Sequence, residues 1–446
     1  MGLLILALSL LLLNPTHASP SKKGLTLELI HRDSIRSPRY SENLNHHAGR
    51  FRRLLALSES RLQRMTSDRL RGAGLGPMVE SEGEGTHMVK VGIGSPAVDL
   101  YLFFDTAGSI TWTQCVPCDP CFPQPPPIYD PTKSASYRAV ACGHPLCAHN
   151  ACEDGKCKYE IRYGHRTFTN GTLAEEQFAF TSSRSGATER IGGLVFGCSN
   201  KTSRRMFDVP HLKAAGILAL DRSPTSFATQ MSDRIGGRFS YCIPPPHAPA
   251  GTGYLRFGDD IGDTRNMQST SFVRNGASLL PHYYLKLNDI SIADERLNLP
   301  AGTFDIKSDG SGGCVIDSGS AYTLLSDAAF VPVKSAIEKH IARTSKMTPV
   351  DAKAYGIASN TTLCYNNPGT GGLRNYPAMT LHFEGADLRV DTANLFEAVP
   401  ECGLVCFTVA PASMTLLGTN LQRNVKFVFD VRKGELEFAP GKCGGV

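Results

Sequence analysis

The sequence predicts an all-β protein with two β-rich lobes, and three observations support this. Apolar runs are short and end at Gly, Pro, Asn or Asp, as in THMVKVGIG, VDLYLFF, TGYLRFG, MTLHFEG and ELEFAP. The strand–helix–strand alternation typical of a parallel sheet is missing from the sequence pattern. One phrase also recurs, as FFDTAGS at 103–109 and VIDSGS at 315–320. We therefore expect two pseudo-symmetric lobes with a cleft between them.

The first residues predict export from the cytoplasm. Residues 3–13 are almost wholly apolar and are followed by the small-residue site Thr16-His17-Ala18. That run is too short to span a bilayer, so residues 1–19 are predicted to be a signal peptide. We expect a secreted or vacuolar protein that is not anchored in a membrane.

A basic segment follows at residues 20–75. Between residues 20 and 73 the chain carries 12 Lys or Arg and 5 Asp or Glu, whereas the net charge of all 446 residues is only +5. An Arg-rich amphipathic stretch of this kind could be a nucleic-acid arm or a membrane-surface helix. In a secreted protein we favour a removable pro-segment that lies over an acidic cleft, and we expect no nucleic-acid partner.

The remaining chain divides into an N-terminal lobe, residues 85–262, and a C-terminal lobe, residues 263–446. Within the second lobe one helix is predicted at 326–343, because Phe330, Val333, Ile337 and Ile341 recur at near-helical spacing.

Fourteen cysteines fit an oxidising compartment, in which disulfides are the default and an even count lets every thiol pair. The cluster Cys115, Cys118 and Cys121 has spacing that also suits zinc or an iron–sulfur cluster. The predicted signal peptide argues against metal, and Cys142, Cys147, Cys152 and Cys157 indicate a stapled loop. We expect no metal and no cofactor.

The repeated phrase places an aspartate, Asp105 or Asp317, after a pair of large apolar residues in each lobe. Each copy has a later partner phrase, GILAL at 216–220 and TLLGTN at 415–420. Either aspartate alone could be ordinary turn chemistry. As a pair they could share one proton, so that one carboxylate activates water while the other polarises a carbonyl. Thr106 and Ser318 would hold the turns, and the product would be a cut peptide.

The chain resembles the pepsin-like aspartic proteases, and within them the plant secreted group of nepenthesin and the apoplastic disease-resistance proteases. The phrases that carry the likeness are LTLELIHRDSIRSP, DTAGSITWTQCVPCDPCF, YEIRYGHRT, VFGCSN, RFSYCI, VIDSGS and LLGTNLQRNVKFVFD. The resemblance implies a bilobal β fold and a secreted acid endopeptidase, made as a zymogen, that acts on protein or peptide substrates. Its catalytic pair would be Asp105 and Asp317. We expect a monomer located in the apoplast or the vacuole.

The resemblance also assigns supporting residues. The active-site turns would be formed by Thr106, Ala107, Gly108, Ser318, Gly319 and Ser320. A flap hairpin carrying Tyr163 and Gly164 would close over the substrate, although Tyr163 could instead be only a cross-strand aromatic residue. Trp112 would either fill the core or hydrogen-bond toward Tyr163. The implied disulfides are Cys115–Cys118, Cys121–Cys198, Cys142–Cys157, Cys147–Cys152 and Cys242–Cys443, with Cys314, Cys364, Cys402 and Cys406 unassigned.

Lobe one departs from the family pattern. The usual Asp-Thr-Gly-Ser reads Asp105-Thr106-Ala107-Gly108, so a methyl group is added and a hydroxyl is lost. Ala107 would clash if its position required a glycine-only conformation. Ala219 stands where Gly is usual, and the flap continues as His165-Arg166. These changes motivate an alternative function, a weak or inactive protease-fold binding protein similar to the cereal xylanase inhibitors.

Three acceptor motifs for N-glycosylation begin at Asn170, Asn200 and Asn360. In a secreted protein they predict a glycoprotein.

Overall fold

The computed structural model describes residues 24–32, 34, 47–70, 86–124, 127–148, 151–163, 167–204, 206–207, 214–245, 252–273, 281–345, 347–357, 363–366 and 373–443. The predicted signal peptide, the flap residues Gly164–Arg166 and the acceptor Asn360 lie outside the described residues. Statements about the structure refer to this part of the chain.

β-Strands dominate the described part of the chain. The strands of the first half are β1 (Leu25–His31), β2 (His87–Ile93), β3 (Val98–Asp105), β4 (Trp112–Gln114), β5 (Arg138–Ala139), β6 (Cys152–Glu153), β7 (Lys156–Arg162), β8 (Phe168–Thr181), β9 (Thr188–Thr202), β10 (Ala214–Ala219), β11 (Arg238–Cys242), β12 (Thr252–Phe257) and β13 (Gln268–Ser271). The later strands are β14 (Tyr284–Leu285), β15 (Leu287–Ile292), β16 (Glu295–Arg296), β17 (Cys314–Ile316), β18 (Thr323–Ser326), β19 (Pro349–Asp351), β20 (Leu363–Asn366), β21 (Met379–Phe383), β22 (Ala386–Val390), β23 (Phe396–Val399), β24 (Leu404–Phe407), β25 (Val409–Ala412), β26 (Thr415–Leu417), β27 (Val425–Asp430) and β28 (Glu435–Pro440).

The helices among the described residues are α1 (His47–Leu70), α2 (Phe227–Gln230), α3 (Asp327–Thr344), α4 (Thr392–Leu395) and α5 (Thr419–Gln422). The helix predicted at 326–343 is confirmed as α3, and the four apolar residues that predicted it are all buried. The sequence pattern did not predict α1 or β1, which both lie in the predicted pro-segment.

One large sheet joins both ends of the described chain. Its path runs β13-β28-β27-β11-β12-β1-β2-β3-β10-β4-β9-β8-β7-β6, with β5 paired to β8. The C-terminal strands β27 and β28 therefore share a sheet with strands of the predicted N-terminal lobe. Three smaller sheets, β14-β17-β26-β18-β25, β16-β15-β21-β22 and β19-β20-β24-β23, complete the fold.

The recurring sequence phrase corresponds to a recurring set of strands. In lobe one β3 pairs parallel with β10, which pairs antiparallel with β4, which pairs parallel with β9. In lobe two β17, β26, β18 and β25 repeat the same parallel, antiparallel, parallel order. The partner phrases GILAL and TLLGTN thus contain the strands beside the two aspartates. The internal repeat is a structural pseudo-symmetry.

Strand β1 is an interior strand of the large sheet. It pairs antiparallel with β12 on one side and with β2 on the other. Leu25, Leu27 and Leu29 are buried in the main core, in the alternation expected of a strand with one apolar face. Part of the predicted pro-segment is therefore built into the folded sheet, in addition to the part expected to lie over the cleft.

The position of β1 predicts a large loss of stability on truncation of Leu29, which is 0% exposed. Leu29→Ala should lower the unfolding free energy of the full-length chain by about 2–5 kcal/mol, because it leaves a cavity in a packed core. Denaturant or thermal unfolding measures the change. The control is Val331→Ala on α3, where the side chain is 66% exposed. Equal effects of the two changes would contradict the interior position of β1.

Candidate active site

The two aspartates end equivalent strands. Asp105 is the last residue of β3, and Asp317 directly follows β17. Each carboxylate accepts a hydrogen bond at its Oδ1 from the backbone two residues later, from Ala107 N at 2.8 Å and from Gly319 N at 2.9 Å. The same local turn therefore orients both side chains.

The two turns are locked to each other. Thr106 N donates to Ser318 Oγ at 3.0 Å, and Ser318 N donates to Thr106 Oγ1 at 2.9 Å. All four atoms belong to buried residues, where paired polar groups are rigid and costly to separate. This reciprocal pair brings Asp105 and Asp317 together from positions 212 residues apart.

The guanidinium of Arg61 on α1 lies between the two carboxylates. Its Nε and Nη2 donate to Asp317 at 2.5 and 2.9 Å. Its Nη2 and Nη1 donate to Asp105 at 2.5 and 3.0 Å. The Arg61 side chain is 0% exposed, and those of Asp105 and Asp317 are 2% and 0% exposed. One buried cation thus occupies the place where the sequence predicted catalysis.

The neighbouring small residues fit this arrangement. A Cβ atom added to Gly319 would lie 2.5 Å from Arg61 Cζ, so glycine makes room for the guanidinium. Ala107, the residue at the corresponding point of the first turn, is buried in an apolar cluster that includes Leu62 and Met65 of α1. Ala107 does not have a positive φ, so its position does not require a glycine-only conformation. Ser320 completes the second turn by donating to Tyr322 O at 3.1 Å.

Helix α1 also contacts lobe two at positions other than the two aspartates. Arg50 forms an ion pair with Glu397, and Tyr322 Oη donates to the other oxygen of Glu397 at 2.7 Å. Burial, with the Glu397 charge beside it, raises the pKa of Tyr322 well above its usual value. His47 N donates to Glu401 at 2.7 Å. The helix is therefore attached along much of its length.

The charge of residues 20–75 predicted a basic segment that lies over an acidic cleft. It did not predict that Arg61 is the residue that binds the two aspartates. A signal for it exists in the periodicity of α1. Phe51, Leu54, Ser58, Arg61 and Met65 alternate three and four residues apart, and all are buried. An arginine in such a stripe requires a buried anion as its partner.

Tyr163 lies where the β7–β8 hairpin closes, since its N donates to Thr167 O at 2.7 Å. Trp112 Nε1 donates to Tyr163 Oη at 2.7 Å, and both rings are buried with Phe122 and Phe207. Both interpretations of Trp112 therefore apply, because it fills the core and also bonds to the tyrosine. The flap function of Tyr163 remains a prediction.

The disulfides of the insertion differ from the implied set. The structure pairs Cys115–Cys198, Cys118–Cys121, Cys142–Cys152 and Cys147–Cys157. The four implied pairings in this region are wrong. The parallel pairing of β4 with β9 places Cys115 beside Cys198, and the two ten-residue spans interleave instead of nesting. Cys242–Cys443 is present as implied, Cys364 pairs with Cys406, and Cys314 and Cys402 are free thiols.

Two of the predicted glycosylation acceptors line one cavity of about 820 Å³ beside the insertion. Asn170 is on β8, and Asn200 on β9 donates from Nδ2 to Pro117 O at 3.1 Å. Their modification stays a prediction. Among the described residues no cluster of His, Cys, Asp and Glu could hold a metal ion, and no helix is long and apolar enough to span a membrane.

Known protein families and individual relatives match most of the chain. Two family models match, described as xylanase inhibitor N-terminal over residues 87–259 and xylanase inhibitor C-terminal over residues 282–440. Protein ASPARTIC PROTEASE IN GUARD CELL 2 from Arabidopsis thaliana is 31% identical over 96% of this chain and 90% of its own length. Aspartic proteinase nepenthesin-2 from Nepenthes gracilis is 28% identical over 81% and 79%, respectively.

Solved structures share the fold at low identity. Basic 7S globulin from soybean has a TM-score of 0.60 at 17% identity and covers 79% of this chain and 92% of its own. Conglutin gamma from lupine seeds has a TM-score of 0.59 at 18% identity, with coverage of 81% and 93%. These similarities and the named relatives confirm an all-β, bilobal pepsin-like fold. The chain belongs to the plant group of pepsin-like aspartic proteases.

Proposed function

We propose that the chain is an acid endopeptidase made as a zymogen, with Asp105 and Asp317 as its catalytic pair. The observation that carries the proposal is the shared position of these carboxylates, locked by Thr106 and Ser318 and bound by one arginine. Two carboxylates this close cannot both ionise readily without a cation, so they retain a shared proton once the arginine leaves.

The chemistry follows from that shared proton. The ionised carboxylate takes a proton from a water molecule, which attacks the peptide carbonyl, while the protonated carboxyl donates to the carbonyl oxygen. The backbone amides of Ala107 and Gly319 hold one oxygen of each carboxylate, which fixes the direction of the reacting oxygens. Protein or peptide substrates would lie in the cleft that α1 fills, under the hairpin of Tyr163.

The pro-segment would inhibit by occupying the site. Arg61 satisfies both carboxylates, so a substrate could reach them only after α1 has moved away. Protonation in acid removes the negative charge that Arg61 binds, so the contact weakens as pH falls. The His47 contact holds the pKa of Glu401 below its usual value, so this second attachment of the helix also weakens in acid. Acid would thus release the helix and allow cleavage of the segment.

Secretion fits the proposal. The predicted leader, the six disulfides of the described residues and the predicted glycosylation sites all suit an oxidising route to the apoplast or vacuole. We propose a monomer with protein or peptide partners.

The alternative is a protease-fold binding protein, and it is favoured by the description of the matching family models as xylanase inhibitor domains. The departures from the family pattern at Ala107, Gly108 and Ala219 also favour a binding protein. Against it, both aspartates are retained in equivalent turns, and the pro-segment has an arginine directed at them. We therefore place the enzyme first.

The departures in lobe one compensate each other. A Cβ atom added to Gly108 would lie 3.0 Å from Asp105 Oδ2 and 3.3 Å from the methyl group of Ala219. Ala219 therefore fills space that a side chain at position 108 would otherwise use. The two unusual residues fit as a pair.

Replacing one catalytic carboxylate should abolish acid proteolysis. Asp317→Asn removes the proton acceptor without changing the shape of the side chain, so we expect a loss of at least about a hundredfold in kcat with the fold retained. The assay is cleavage of denatured protein after acid treatment, with circular dichroism to check the fold. Asp259→Asn, at an exposed position, is the control. Undiminished activity in Asp317→Asn would exclude the proposed mechanism.

Removing the inhibitory cation should release activity at higher pH. Arg61→Gln should process its pro-segment and cleave substrate at a pH where the wild-type chain remains intact. The matched control is Arg52→Gln on the same helix, since Arg52 donates only to Gly356 O at an exposed position. Processing is followed by gel and by N-terminal sequencing. Identical pH thresholds for Arg61→Gln and wild type would show that Arg61 is not the inhibitor.

The paired substitutions predict coupled stability. Gly108→Ser should lower the melting temperature of the chain, because its Cβ would crowd both Asp105 Oδ2 and the Ala219 methyl group, and Ala219→Gly in the same chain should recover the part of the loss that is due to Ala219. Gly143→Ser is the control, since nothing lies within 4 Å of an added Cβ there. Strictly additive effects of the two changes would mean that the two positions do not compensate each other.

A further inference from the structure

A third carboxyl group is buried beside the proposed dyad. Asp221 follows β10, whose last residue Ala219 is the register partner of Asp105. Asp221 is 0% exposed. Its backbone N donates to Gly108 O at 3.2 Å, and the preceding Leu220 N donates to Asp105 O at 2.8 Å. The main chain of residues 220–221 is thus bonded to both ends of the turn that carries Asp105.

The Asp221 side chain bonds to the same turn. Ser109 Oγ donates to its Oδ2 at 2.6 Å, which ties the residue after Gly108 to the carboxyl group. Ser223 donates from its N at 2.8 Å and from its Oγ at 3.0 Å. Thr225 Oγ1 donates to Ser109 O at 2.8 Å. The segment 221–225 therefore holds residues 108–109 from one side.

Burial disfavours the ionisation of Asp221, and the hydrogen bonds that its carboxyl group accepts from Ser109 and Ser223 oppose this effect. Burial, with a smaller contribution from the nearby Asp105 charge, raises the pKa of Asp221 to about 7. Tyr283 faces Asp221 from the segment before β14, and burial together with the Asp221 charge raises the pKa of Tyr283 well above its usual value. Arg222, the next residue along the chain, donates to His282 O at 3.2 Å and faces the ring of Phe272.

We propose that Asp221 is a positioning residue for Asp105. As a neutral carboxyl group hydrogen-bonded to Ser109, it supports the turn of Asp105 in place of the side chain that Gly108 lacks. The role rests on the proposed function, because it concerns the geometry of the catalytic pair. Catalysis is sensitive to small displacements of reacting groups. Asp221 touches neither substrate nor the reacting oxygens and acts through the turn.

The test compares a truncating change with an isosteric one in the full-length chain after acid activation. Asp221→Ala and Ser109→Ala should each lower kcat by about tenfold or more with little change in KM, because the turn loses its support. Asp221→Asn should keep kcat within about threefold of wild type, because an amide reproduces a neutral carboxyl group in shape and hydrogen bonding. A general loss of structure would not be rescued by Asn in kcat alone.

A second readout needs no catalytic activity. A folded-state pKa near 7, above the value in the unfolded chain, makes the native wild type bind the extra proton between about pH 4 and 7. The wild type should therefore lose stability relative to Asp221→Asn as pH rises through that window. The gap in melting temperature should widen and then level off, whereas Asp259→Asn should show no such divergence. A gap that does not change with pH would overturn the neutral state of Asp221.

The two readouts separate this proposal from the proposed function. An active wild type with unchanged kcat in both Asp221→Ala and Ser109→Ala overturns the positioning role alone. An active wild type in which Asp221→Asn is as impaired as Asp221→Ala requires an ionised carboxylate and overturns the neutral role. A wild type without acid proteolysis overturns the proposed function and the positioning role with it.

Discussion

The architecture depends on placing two carboxylates together in a buried site. Asp105 and Asp317 are almost fully shielded from water, and an isolated buried carboxylate is costly unless it is paired or protonated. The protein meets this constraint with backbone amides on each turn, a reciprocal hydrogen-bond pair between the lobes and one guanidinium. The amides and the guanidinium bind the carboxylates directly, and the reciprocal pair holds the two turns together. In the proposed mechanism, loss of the cation leaves a pair that shares one proton, which is the state that peptide hydrolysis requires.

The predicted pro-segment is attached to the fold at two separate places. Strand β1 lies between β2 and β12 in the large sheet, and helix α1 reaches the dyad and the wall formed by Glu397 and Tyr322. Release of the helix therefore frees the cleft without removing the strand. Complete loss of the segment would leave β2 and β12 without their shared neighbour, and exposed strand edges are prone to unwanted pairing. Activation would consequently involve a rearrangement of the sheet as well as a cut.

The sequence predicted the parts that are repeated or periodic. The two aspartate phrases and their partners specified equivalent strand pairs, and the apolar spacing of Phe330 to Ile341 specified α3. The disulfides were not predictable in the same way, because four cysteines allow three connectivities and their spacing along the chain does not decide between them. Arg61 was not singled out because its importance depends on carboxylates supplied by distant turns. Asp221 resembles an ordinary turn residue in sequence, and only its burial distinguishes it.

The most direct test of the central claim measures how firmly the dyad holds α1. Backbone amide exchange of residues 47–70 should be compared at neutral pH in the wild type and in the Asp105→Asn, Asp317→Asn double variant, with the amides of α3 as an internal reference. Because neutral side chains cannot form an ion pair with the guanidinium, we expect faster exchange in α1 of the double variant and unchanged exchange in α3. Equal protection of α1 in the two proteins would show that the two carboxylates do not hold the helix.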